Sequence, residues 1–342
     1  MKTIKIKFTG KDWEKLAPGK VPYPFERLKE NYNLEFSDAP DYIISKESRN
    51  FYSDCLRKYA NAPIRILFAG EAFCPDFNIF DYAIGFDPLS YSDRYFRLNT
   101  QNFFSFDSAI NLSKNELDIE EITHKNRKFC NFIYSNSASN SMRATLFKHL
   151  YEYRHIDAAG ALLRNTDSRI ETGANWCQAK IDFQKGYKFT LAIENSQYRG
   201  YTTEKILHPM TAYSIPIYWG NEEIGKEFNT KSFINCHDYH SLEGLIEAIK
   251  EVDQNDELYR KMLCEPWQTE EQVHCEKRNK HDFDSFIRNI FDQDIACSRR
   301  RGDGTWAWCY EEALKKRIDL HENKLHSPRH RFSRRLQKWG IK

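Results

Sequence analysis

Tyr187-Lys-Phe-Thr-Leu-Ala-Ile-Glu-Asn-Ser-Gln-Tyr-Arg-Gly-Tyr-Thr-Thr-Glu-Lys-Ile-Leu207 opens as an apolar run, turns polar at Glu194, passes Gly200 and arrives at a helix start. Residues 187–193 read as a buried strand and 203–213 as a helix with Thr202 or Thr203 at its N-cap; 215–219, Ile-Pro-Ile-Tyr-Trp, read as the next strand. Strand, loop, helix and strand in that order make a parallel α/β unit, and ligands of open α/β sheets bind at the carboxyl ends of the strands. The helix start aims free backbone N–H groups and a partial positive charge at the loop, which favours a phosphate. Lys205 can add a full charge for phosphate oxygens, and Glu204 can accept hydrogen bonds from a pair of sugar hydroxyls. The competing reading makes Glu204 and Lys205 an ordinary pair of the first helical turn.

Outward from this stretch the same alternation recurs. Strands are expected at 4–8, 41–45, 64–69 and 82–86, with a helix at 51–60. The polar segment 113–127 reads as a connection between domains. Beyond it come a strand at 128–134, a helix at 141–155, a strand at 232–235 and a helix at 241–252. The expected domains are 1–120, an acceptor-side α/β domain; 121–296, a nucleotide-binding α/β domain; 297–324, a helical segment; and 325–342, a basic tail. At 342 residues the chain is long enough for two ordinary domains. Two α/β halves on a short linker resemble the GT-B architecture, in which two Rossmann-like domains face each other across a cleft.

Composition narrows the function classes. Apolar residues make up 40% and charged residues 29%, the balance of a folded protein. A net charge of +2 excludes a whole-protein attraction to nucleic acid, and no reader motif is present. The 9 cysteines are scattered without a C-x-x-C pair, which points to reduced thiols and the cytosol. Cys236-His237 and His274-Cys275 are adjacent pairs that lack the spacing of zinc ligands. No apolar run approaches the roughly 18 residues of a membrane span, and the alternating N-terminus reads as a strand, not a signal peptide. In the tail, Phe332, Leu336 and Trp339 fall at i, i+4 and i+7 among Lys and Arg, so a helix there could lie on an anionic membrane surface. Packing on the protein body and disorder are the alternatives for it. The expected location is cytoplasmic, with a possible peripheral contact to the inner membrane face.

Glu194-Asn195-Ser196, then Thr203-Glu204-Lys205, then Ile215-Pro-Ile-Tyr-Trp-Gly220 resemble the hallmark of glycosyltransferase family 10, the α-1,3/4-fucosyltransferases, in its bacterial form. Two more segments are similar to that family. Phe132-Ile-Tyr-Ser-Asn-Ser-Ala-Ser-Asn-Ser-Met-Arg143 matches its strand, Ser-Asn loop and arginine; Gly70-Glu71, followed by Pro75, Asn78, Asp81 and Tyr82, matches its acceptor-side strand end. The resemblance implies Glu71 as catalytic base and Arg143, Glu194, Asn195, Tyr201, Glu204 and Lys205 as donor-binding residues. It implies GDP-fucose as donor, a GlcNAc or glucose hydroxyl of a glycan as acceptor, inversion at the anomeric carbon, and no essential divalent metal or other cofactor. Bacterial members carry a second Glu two places after the first; Phe73 stands there in this chain. Alternatives are a transferase of the same fold using another GDP-sugar, and a non-catalytic glycan- or membrane-binding protein.

Other motifs do not carry chemistry on this reading. Asp282-Phe-Asp284 and Asp292-Gln-Asp294 have the D-x-D form of a metal site but lie in stretches that read as helical surface. Gly220–Lys226 has P-loop spacing, yet Glu227 stands where a Ser or Thr must hold magnesium. Arg94 and Arg97 read as partners of structural salt bridges.

Overall fold

The computed structural model describes residues 1–326 except 11, 12, 49, 50, 107, 125, 137–141, 171, 172 and 174. Residues 327–342, which hold Phe332, Leu336 and Trp339 of the expected tail helix, lie outside the described residues. The chain forms two compact units, one of Met1–Gly85, Leu89–Arg97 and Asp284 onward, the other of Phe86–Pro88 and Leu98–Phe283.

The first unit holds strands β1 (Thr3–Thr9), β2 (Asn33–Phe36), β3 (Tyr42–Lys46), β4 (Ile64–Phe68), β5 (Tyr82–Gly85) and β6 (Tyr95–Arg97) in one parallel sheet of order β2-β1-β3-β4-β5-β6. The four central strands fall where the apolar runs place them, because strands of a parallel sheet are covered on both faces. β4 and β5 are buried along their whole length. The edges, β2 and β6, carry no such run: Asn33-Leu-Glu-Phe36 is largely exposed, and β6 spans 3 residues. Only Phe51–Ser53 of the expected 51–60 helix is α-helical, and Asp54–Lys58 continues as a wider π-turn.

The second unit holds β7 (Lys128–Phe132), β8 (Ile156–Ala158), β9 (Tyr187–Ile193), β10 (Ile215–Trp219) and β11 (Ile234–Asn235), all parallel in the order β11-β10-β9-β7-β8. β9 and β10 have the bounds the apolar runs give. Helices Met142–Tyr153, Glu204–Thr211 and Leu242–Gln254 occupy the expected stretches, and Trp176–Gln184 and Asp256–Cys264 add to them.

One sequence expectation is corrected. The segment 113–127 is not an irregular connection: Glu116–His124 is a helix, and Ile119 and Ile122 on it join the core of the second unit. Two apolar residues one turn apart suffice to dock an otherwise polar helix. Residues 98–120 go with the second unit, where Phe103 stacks on Phe86 with ring centroids 4.3 Å apart and the Thr100 N–H donates to Glu227 at 2.7 Å. The chain from Asp284 goes with the first unit. There the fully buried Asp81 accepts the N–H groups of Arg300 and Arg301 at 2.9 Å each and pairs with the Arg301 guanidinium, while Phe291 packs on Tyr42. A buried carboxylate must be satisfied, and these donors come from the far end of the sequence.

Candidate active site

The second unit builds its site where β9 ends. Glu194 follows Ile193 directly and is 0% exposed. Its carboxylate accepts the Thr203 N–H at 2.8 Å, and the Thr203 hydroxyl lies 2.9 and 2.8 Å from its two oxygens. Lys205 completes the group, with Nζ 3.0 Å from Glu194 Oε2 and 2.8 Å from the Thr203 hydroxyl. Thr203 is therefore the N-cap of helix Glu204–Thr211, but its hydroxyl serves the strand end and not its own helix. Two glycines make the close approach possible. A Cβ on Gly220 would meet Glu194 Cγ at 2.5 Å; Gly200, at φ +78°, would place one 2.1 Å from the Phe86 carbonyl oxygen. Asn221 then ties the two turns together, accepting the Gly200 N–H at 2.8 Å and donating to the Thr202 hydroxyl at 3.2 Å.

Arg143 reaches the same place from helix Met142–Tyr153. It is 2% exposed. Its Nη2 donates to Asn195 Oδ1 at 2.7 Å and to the Ile193 carbonyl at 3.0 Å, and its guanidinium lies over the Tyr134 ring at 4.1 Å. Tyr134 is fixed in turn, donating to the Leu191 carbonyl and accepting the Ile193 N–H. Arg143, Asn195, Glu204 and Lys205 line one pocket of about 230 Å³, together with Trp176 and Lys180. Glu194 sits behind this wall under Lys205. Tyr201 does not line the pocket; it is buried with its ring edge-on to Phe86 at 5.4 Å.

The electrostatics favour an anion. Burial works to raise the Glu204 carboxyl, but Lys205, Lys180 and His208 overcome it and hold the group down at about 2. Burial works to lower Lys205, and Glu194 and Glu204 overcome that too, so its ammonium is held charged above the usual lysine range. Arg143 adds a guanidinium to the same wall. The result is a small pocket with fixed charges of both signs, able to grip phosphate oxygens and to accept from hydroxyls.

Lys180 and Trp176 have no place in the hallmark motif. Their signal was the i, i+4 spacing on a short helix directly before β9, which puts both on one face.

In the first unit Glu71 follows Gly70 just past the end of β4 and is exposed. Beside it, Glu47 follows β3 and accepts the Gly70 N–H at 2.6 Å. Burial pushes Glu47 up to about 7, and the neighbouring Glu71 charge acts in the same direction. Two carboxylates thus gather at the carboxyl ends of adjacent strands, a pairing the sequence hides because Glu47 stands among ordinary polar residues. Phe73 is a packing residue: its ring lies 6.0 Å from Phe51 at the edge of the first unit's core.

The set-aside motifs have structural roles. Asp284 pairs with Arg27, and Asp292 accepts the Tyr32 hydroxyl at 2.6 Å. Arg94 donates to the carbonyls of Phe77, Phe80 and Asp81, so carbonyls take the place of the expected salt bridge. Among the described residues no three His, Cys, Asp or Glu side chains gather as a metal ion would need.

The family model described as glycosyltransferase family 10 (fucosyltransferase) C-term matches residues 122–297, and that of the alpha-(1,3)-fucosyltransferase FucT N-terminal domain matches residues 6–104. The chain belongs to glycosyltransferase family 10. It is 33% identical over 283 residues to the alpha-(1,3)-fucosyltransferase FucT of Helicobacter pylori, covering 70% of this chain and 57% of that protein. It is 38% identical over 144 residues to the putative fucosyltransferase R654 of Acanthamoeba polyphaga mimivirus, 41% of this chain and 24% of the relative. The chain thus spans little more than half, or less, of the length of these curated relatives. Among solved structures, an alpha1,3-fucosyltransferase with GDP-fucose aligns at a TM-score of 0.68 and 24% identity, covering 89% of this chain and 94% of that one. The same enzyme with GDP aligns at 0.67 and 25% identity, covering 86% and 91%. The fold is that of these GT-B-type family members, α/β with a parallel sheet in each unit.

Proposed function

We propose that this protein is an inverting α-1,3-fucosyltransferase that moves fucose from GDP-fucose to a GlcNAc or glucose hydroxyl of a glycan acceptor. The observation that carries the reading is the pocket at the end of β9, where Arg143 and Lys205 converge on a helix start beside an ionised Glu204. On this reading the diphosphate of the donor takes Arg143, Lys205 and the backbone N–H groups of the helix start, and Glu204 accepts from hydroxyls of the nucleotide sugar. As the anomeric C–O bond breaks, its electron pair leaves on the phosphate oxygen, and the cations stabilise that growing charge. The acceptor hydroxyl attacks from the opposite face, which inverts the centre, and Glu71 takes its proton. These fixed cations fill the role a divalent ion plays elsewhere, so activity is expected to persist with EDTA.

No helix of the described residues is long and apolar enough to cross a membrane. The reading adds a cytoplasmic enzyme, with the 325–342 tail as its contact to an anionic membrane face. The test of activity is incubation of GDP-fucose with N-acetyllactosamine, lactose and the type 1 disaccharide, with the anomeric configuration of the product read by NMR. An α-linked fucoside is expected. No transfer and no release of GDP would overturn the proposal. Thermal stabilisation by GDP over UDP and ADP checks the donor separately, since only a ligand that prefers the native state raises the melting temperature.

A further inference from the structure

Lys180 lies in the middle of helix Trp176–Gln184, is 7% exposed, and lines the same pocket as Arg143, Glu204 and Lys205. Among the described residues it makes neither a hydrogen bond nor a close ion pair, and its Nζ lies 5.8 Å from the centre of the Trp176 ring. Trp176 is itself held edge-on against the buried His208 at 5.5 Å, so the face that carries Lys180 is anchored. A largely buried lysine on a pocket wall, with no hydrogen bond among the described residues, is well placed to meet a ligand that supplies the oxygens.

The charges around it say which ligand. Glu204, Lys205 and Glu194 face Lys180 from the strand, loop and helix start; Cys177 does so from its own helix, and Arg143 shares the pocket. Lys205 and Thr203 already occupy the Glu194 carboxylate. Glu204 is shared between Lys205, at 3.8 Å, and the field of Lys180. Three cations stand against two carboxylates, and an excess of positive charge remains for an incoming anion.

Resting on the reading of this pocket as a GDP-sugar site, we propose that Lys180 is a third cationic contact for the nucleotide diphosphate. Its place on the pocket wall beside Arg143, Glu204 and Lys205 supplies the contact. Burial pushes the Lys180 ammonium below the ordinary lysine range, and Glu204 opposes this while Lys205 adds to it, so an incoming anion relieves an unfavourable setting.

The experiment is calorimetric titration of GDP and of guanosine into the full chain and into Lys180→Gln and Lys180→Arg. Lys180→Gln should weaken GDP by about tenfold or more while leaving guanosine unchanged, since a charge-assisted phosphate contact is worth about 1.5–3 kcal/mol, tenfold per 1.4 kcal/mol. Lys180→Arg should keep GDP affinity within a few-fold. Should Lys180→Gln fail to melt cooperatively, Lys180→Met gives the same reading at similar volume without charge. Equal GDP affinity in Lys180→Gln, or an equal loss for GDP and guanosine, overturns the inference while the donor-site reading stands. An absence of GDP binding by the unaltered protein overturns both.

Discussion

The pocket at the end of β9 and the turn at the end of β4 occupy the same station in their sheets, yet they are built in opposite ways. At the end of β9 these charges are buried and tied: Glu194 to Thr203 and Lys205, Arg143 to Asn195 and the Ile193 carbonyl. In the first unit Glu71 stands exposed on a short turn that Glu47 anchors by accepting the Gly70 N–H. A site of buried charges is preorganised and holds a charged ligand without rearrangement. An exposed carboxylate costs the fold little and is open to an incoming hydroxyl.

That contrast can be broken most forcefully at Lys205. Lys205→Met leaves Glu194 buried without its cation, so the second unit should lose about 3–5 kcal/mol in denaturant unfolding, in addition to activity. Converting Glu194 to Gln in the same chain should recover much of that stability and none of the transfer. A Lys205→Met protein as stable as the parent would mean that the network is not holding the strand end.

Next in size is Glu71→Gln. As an exposed residue it should leave the melting temperature within about a degree, because surface changes fall within about ±0.5 kcal/mol. The turnover number should fall by about 10²–10⁴, the range of general-base catalysis. A rate within threefold of the parent would move the base elsewhere, and Glu47 would be the first place to look.

The smallest effect is expected at Glu47, and it depends on pH. The folded state holds its carboxyl at about 7, above the model-peptide value of 4.5, so between those values the native protein binds more protons than the unfolded chain. Stability from this group is therefore fully present below pH 4.5 and is lost as pH rises toward 7. Glu47→Gln should be the more stable protein near neutral pH, with the advantage shrinking as pH falls toward 4.5. Parallel melting curves across that range would show that burial does not set the Glu47 proton.

The two regions also differ in how far the sequence revealed them. The β9 stretch was legible because a buried charge network demands particular residues at particular spacing: Glu at the strand end, Thr at the cap, Lys two places on, Gly where a Cβ would collide. Arg143 was legible through its strand and loop. Lys180 was hidden because it arrives from a helix whose polar face resembles a solvated one. Glu47 was hidden because the pairing with Gly70 is created by the sheet order and not by proximity in sequence. Among the strands, β2 escaped because it is a largely exposed edge strand without an apolar run, and β6 and β8 because 3 residues are too few to show a period. The tie from Asp81 to the backbone of Arg300 and Arg301 was hidden because the partners stand more than two hundred residues apart.

The central claim is that donor binding belongs to the β9 pocket and proton abstraction to the β4 turn. Calorimetric titration of GDP into Arg143→Gln and Glu71→Gln, beside the parent, tests it most directly. The account predicts parental affinity in Glu71→Gln and a loss of about a hundredfold or more in Arg143→Gln, whose guanidinium offers two oxygens a charged grip that an amide does not. Parental GDP affinity in Arg143→Gln, or its loss in Glu71→Gln, would contradict the account.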